Sequence, residues 1–227
     1  MTDQTSRRVF LKSGAVLVGL GAAPFMMQPA LAQSKGLKSL LGNASDNALD
    51  KLGEPGAFYA DKAVRVLLPG PLKRATDILR FTSKAGLTGD ITRTLNGAAG
   101  QAALAAKPVF RSAIDGLTFT KGLGIVTGGD TAGTEFLKDT AGIELGNKVR
   151  PLIESALGDL GAFKQVERLG SISSLARLGG MDLSRDGLTD SVKDQAMNGI
   201  FTYIGREETD FRRNPLDRGK SILRGIF

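Results

Sequence analysis

The chain has 227 residues, 30 lysines and arginines against 23 acidic residues, a formal net charge of +7, and no histidine, cysteine or tryptophan. Without imidazole or thiol there is no Ser-His pair, no disulfide, and no nitrogen or sulfur ligand for zinc, copper, haem or an iron–sulfur cluster. The positive balance suits solubility and loose attraction to anionic surfaces, and does not by itself argue for nucleic acid as a partner. A metal site would have only oxygen ligands to use, and the sequence holds neither an EF-hand loop nor another dense acidic loop. No cofactor or metal is therefore expected.

Residues 1–32 read as an export address. Arg7-Arg8, followed by Phe10-Leu11, has the twin-arginine pattern. A short apolar run, Gly14 to Met27, leads to the small-residue site Ala30-Leu31-Ala32, so processing is expected to leave Gln33 as the first residue. The competing reading is an uncleaved anchor, but the run falls short of the ~20 residues that span a bilayer, and its glycines and Pro24 weaken it as a permanent helix. The expectation is a periplasmic protein whose first partner is the twin-arginine translocase.

The remainder predicts an all-α fold: a single domain over 33–227, of about seven to ten helices, with one extended proline-containing arm. A first helix over Gly36–Leu52 carries Leu37, Leu40, Leu41, Ala44, Ala48 and Leu52 on one stripe. Val64 to Pro71 reads as the arm, because each proline disfavours the helical region for its predecessor and a lone strand has nothing to pair with. Leu72 to Phe81 suggests a second helix. A third opens at Thr88 or Gly89 with an alanine-rich stripe from Ile91 to Ala106. Pro108 suits the first turn of a fourth.

Thr120 is placed to cap a short helix ending at Val126, and Asp130 to cap the next, with Phe136, Leu137, Thr140 and Ala141 inward. A further helix is expected from Lys148-Val149, with Pro151 in its first turn. Phe163 to Leu178 reads as short helices. Asp190 is then placed to cap a helix over Ser191–Arg212, stopped by Asn214-Pro215 and followed by a basic amphipathic tail, Leu216 to Phe227.

Three segments resemble an exported bacterial family catalogued as domain of unknown function 4197: Val66-Leu67-Leu68-Pro69 with Pro71-Leu72; Ala106 to Phe110 running on through Ile125 to Thr134; and Gly199-Ile200-Phe201, Ile204, Glu207-Glu208, Phe211-Arg212 and Asn214-Pro215. The resemblance implies an all-helical periplasmic domain and no particular activity. Gly97, Gly100 and Gly133 stand where better helix formers are expected, each at ~1 kcal/mol relative to alanine.

Glu207 is the leading polar candidate. It shares the apolar stripe with Ile204 and Phe211, while Glu208 is expected to face outward. A carboxylate on a core-facing stripe must be paired, hydrogen-bonded or protonated. It is therefore either an ion pair with Arg111, Arg150 or Arg212, the reading favoured here, or a pocket acid. The Thr127 to Thr131 turn opens a helix N-terminus, but it lacks a phosphate-loop lysine, and Asp130 would repel an anion. The proline-containing arm reads as a stiff connector before a docking motif. The basic tail reads as a segment folded onto the core before a membrane contact.

Two functions follow. The favoured one is a non-enzymatic binder of a hydrophobic or amphipathic small molecule or of a partner protein, since a cavity forms readily between alanine- and glycine-rich helices. The alternative is a carboxylate-dependent hydrolase using Glu207 with Asp130 or Glu135, because paired carboxylates catalyse hydrolysis without histidine.

Overall fold

The computed structural model describes residues 27–70, 73, 86–119, 125, 127–170 and 184–214. Among them are seven helices and no strand: α1 (Met27–Gly53), α2 (Ala57–Ala60), α3 (Gly86–Ala105), α4 (Lys107–Gly116), α5 (Ala132–Asp159), α6 (Ala162–Gly170) and α7 (Arg185–Arg213). The all-helical expectation is met. Most of the expected helices from Leu72 to Phe81 and from Thr120 to Val126, the continuation of α6 and the tail from Leu216 onward lie outside the described residues.

Helix α7 organises the others, because α1 covers one of its sides and α5 another. Successive helical residues project ~100° apart, so a helix covered from two directions buries neighbours in sequence. Along α7 the whole anticipated stripe, from Val192 through Ile200, Phe201 and Ile204 to Phe211, is buried. So are adjacent Glu207 and Glu208.

The alanine stripe of α3 does what small side chains allow. Ala98, Ala99, Ala102 and Ala103 are buried, and a Cβ added at Gly100 would lie 3.2 Å from the Leu52 carbonyl oxygen of α1. The backbones meet there, so the helix propensity lost at Gly100 is exchanged for close packing.

Extended backbone over 65–69 forms the expected arm, and side chains take the place of a neighbouring strand. Asn96 accepts from the Val66 N–H and donates to the Val66 carbonyl, both at 2.8 Å. Gln195 repeats the pattern at Leu67, accepting at 2.8 Å and donating at 3.1 Å. Two carboxamides, one from α3 and one from α7, thus satisfy backbone groups that a lone strand would leave unpaired.

Three boundaries differ from expectation. Helix α1 begins at Met27, so its backbone already includes Ala30, Ala32 and Gln33. Helix α5 runs unbroken through Lys148-Val149 with Pro151 inside it. An interior proline removes one helical hydrogen bond, yet Leu145, Val149, Ile153 and Leu157 are fully buried on either side of it, and that packing holds the helix together. Thr140 is exposed rather than inward. Helix α7 starts earlier, with Ser184 as its cap accepting from the Gly187 N–H at 3.2 Å. Asp190 lies inside the helix and pairs with Arg150 at 2.9 Å.

Candidate functional site

The two acids of α7 grip different helices. Glu207 is buried and pairs with Lys51 of α1, while Asn47, one turn earlier on α1, donates to its other oxygen at 3.3 Å. The ion-pair expectation holds in kind, but the partner is a lysine. Of the arginines considered, Arg111 pairs with Asp46 and Arg150 with Asp186, Asp190 and Glu154. Arg212 belongs to Glu208.

Glu208, expected outward, is fully buried and accepts from four groups. The backbone N–H groups of Gly133 and Thr134 donate at 2.9 and 2.7 Å, the Thr134 hydroxyl at 2.6 Å, and Arg212 at 2.7 Å. Arg212 also donates to the Ile125 carbonyl at 3.0 Å. The start of α5 therefore does hold an anion, and the anion is the protein's own carboxylate. A Cβ at Gly133 would sit 2.8 Å from a Glu208 oxygen, which explains the glycine.

Asp130 does not cap α5. The cap position is Thr131, which forms no side-chain cap bond, and Asp130 instead pairs with Arg213 at 2.5 Å. Glu135 accepts from the Thr131 hydroxyl at 2.9 Å. Glu207 thus faces α1, Asp130 faces the end of α7, and Glu135 sits on the outer surface of α5. Among the described residues, no group of three or more acidic side chains is placed to hold a metal. Arg7, Arg8, Phe10 and Leu11 lie outside the described residues, and no described helix is long and apolar enough to cross a membrane.

A groove runs along the outer junction of α5 and α7. It comprises a cleft of about 480 Å³ bordered by Thr131, Glu135 and Asp210, and a second of about 590 Å³ bordered by Gly142, Gly146 and Met197. Lys138, Asn198 and Phe201 line both, so the two are adjacent. Gly142 and Gly146 leave the second cleft open: a Cβ at Gly146 would meet nothing within 4 Å. Ile143 beside them is 86 % exposed.

Charge along this groove is neutralised in part: Glu135 and Asp210, which border the first cleft, form no ion pair among the described residues. Lys193 pairs with Asp190 and Asp194. Arg206 pairs with Asp61 at 2.6 Å, and Asp61 also accepts from the Tyr203 hydroxyl and the Ala63 N–H. The Arg206 guanidinium, helped by these donors, lowers the Asp61 carboxyl from 3.8 to about 2 against the opposing effect of burial. Lys138 likewise forms no ion pair among the described residues, and its ammonium lies 6.0 Å from the Phe201 ring centre. Neither Glu207 nor Asp130 borders the groove; Glu135 does.

Glu208 and Lys138 are the residues that sequence reasoning missed. Arg212, one turn after Glu208, was a legible partner, but the N–H groups of α5 lie 74 positions away in sequence. No curated protein and no solved structure matches the chain. The sequence profile of one family, described as Protein of unknown function (DUF4197), matches residues 29–227. With nearly all of the helical region covered, the chain belongs to the DUF4197 family.

Proposed function

We propose that this chain is a non-enzymatic, exported periplasmic protein that binds an amphipathic molecule bearing an anionic head in the α5–α7 groove. Lys138 carries the reading. It is a cation without an ion pair among the described residues, bordering both clefts and beside an aromatic ring, with Met197 and exposed Ile143 further along. An anionic head would pair with Lys138 while an alkyl or aryl part covers the glycine-floored half. The twin-arginine pattern at Arg7-Arg8 supports the location.

Titration with decanoate, followed by calorimetry, tests the groove. Saturable binding weakened about tenfold or more by Lys138→Glu is expected, since each ~1.4 kcal/mol is a factor of ten. Absence of saturable binding to the unaltered protein would remove the reading. Export is tested separately by replacing both Arg7 and Arg8 with lysine, which should leave precursor in the cytoplasm; normal processing at Gln33 in that variant would contradict it.

A further inference from the structure

Away from the groove, two arginines converge on one tyrosine. The Arg65 guanidinium carbon lies 4.6 Å from the centre of the Tyr59 ring, and that of Arg93 lies 5.7 Å from it. The three come from different parts of the fold: Tyr59 from α2, Arg65 from the start of the arm, and Arg93 from α3. Arg65 is anchored by its Nε, which donates to the Tyr59 carbonyl at 2.5 Å, and its terminal nitrogens have no hydrogen-bond partner among the described residues. Its neighbours Val64 and Val66 are buried, which fixes the backbone that presents it.

Neither arginine forms an ion pair among the described residues. Of the described acids close in sequence, Asp61 belongs to Arg206, and Asp90, one turn before Arg93, pairs with neither. The contrast with Tyr203 is instructive. Arg206 also stacks on a tyrosine, at 4.7 Å, but there Asp61 neutralises the guanidinium and accepts from the hydroxyl. At Tyr59 the same arrangement carries two guanidiniums and, among the described residues, no carboxylate.

We propose that Tyr59, Arg65 and Arg93 form a binding site for a phosphate-type oxyanion. Two like charges held against one ring repel each other, and the ring quadrupole offsets only part of that. A carboxylate has two oxygens and fills one guanidinium fork. A tetrahedral phosphate has enough acceptor oxygens to serve both forks at once and to take the Tyr59 hydroxyl as a further donor. The ligand is a soluble phosphate compound or a phospholipid headgroup, which share this chemistry.

The test uses the intact chain with ¹⁵N-labelled arginine, titrated with inorganic phosphate at low salt. Saturable shifts of the Arg65 and Arg93 Nε signals are expected. The Arg65→Gln/Arg93→Gln double variant should bind about tenfold or more weakly, and Arg213→Gln, altering an exposed arginine paired with Asp130, should bind as before. Flotation with phosphatidylglycerol or phosphatidylcholine vesicles then assigns the source. Retention on the anionic vesicles that the double variant loses marks a headgroup, whereas phosphate binding without retention marks a soluble compound. Shifts that do not saturate, or a double variant that binds phosphate as tightly as the original, would overturn the site.

Discussion

The Glu208 carboxylate reaches from α7 to Thr134 in the first turn of α5 and accepts from both its backbone N–H, at 2.7 Å, and its hydroxyl, at 2.6 Å. A cap supplied by a distant helix ties a local need, the unpaired donors of a helix start, to a tertiary contact. Neighbouring Glu207 binds α1, so two consecutive residues tether the central helix to both of the helices that cover it.

Glu208→Ala should cost ~3–5 kcal/mol, because it strands two buried N–H groups and a largely buried Arg212. Glu207→Ala should cost less, ~1–2 kcal/mol, since the Lys51 side chain is 49 % exposed and recovers its hydration. Denaturant unfolding of both variants measures the order. That order reverses the one expected from the α7 stripe alone, and a larger loss at Glu207 would contradict the buried bonding of Glu208.

Two glycines of α5 should respond oppositely to alanine. At Gly133 the added Cβ meets Glu208 Oε1 at 2.8 Å and Leu41 Cδ2 at 3.0 Å, so the cap must shift, at a cost of ~1–3 kcal/mol. Gly146→Ala fills open space and should stabilise by ~1 kcal/mol through helix propensity. Melting temperatures moving the same way in both variants would contradict the geometry.

Asn96→Ala should free the arm. It removes both partners of the Val66 backbone at a site where Asn96 and Val66 are almost fully buried, at ~2–3 kcal/mol. Gln195→Ala, acting at exposed Leu67, should cost under ~1 kcal/mol. Amide exchange at Val66 should accelerate strongly in the first variant and little in the second.

The Asp61–Arg206 contact predicts a defined acid response. The folded-state pKa of Asp61 is depressed to about 2, below its ordinary 3.8, so its contribution is present above pH 3.8 and is lost as pH falls through about 2. Allowing for solvent screening at this part-exposed site, it amounts to ~1 kcal/mol. Urea unfolding of the unaltered protein and Asp61→Asn should show a difference at pH 5 that closes toward pH 2. A gap that stays constant over that window would exclude the linkage.

Much of the fold was legible because helical periodicity is local. The stripes Leu37–Leu52, Ile91–Ala106 and Val192–Phe211 are all buried where their spacing put them, and Pro108 sits in the first turn of α4. The prolines around the arm likewise announced extended backbone. Local signals misplaced what depends on neighbours: Pro151 did not start a helix because buried residues on both sides of it hold α5 together.

Composition and local spacing set the helical class, the apolar faces, and the chemistry denied by the absence of histidine and cysteine. The polar partners were set by the packing of helix on helix. Glu208 turned inward because α7 is covered from two directions, so a single amphipathic stripe was the wrong description of that helix. Lys138 stands beside Phe201, and Arg65 with Arg93 beside Tyr59, through contacts between elements far apart in the chain. Such contacts leave no period in a sequence, because nothing in local spacing encodes which helix a side chain meets.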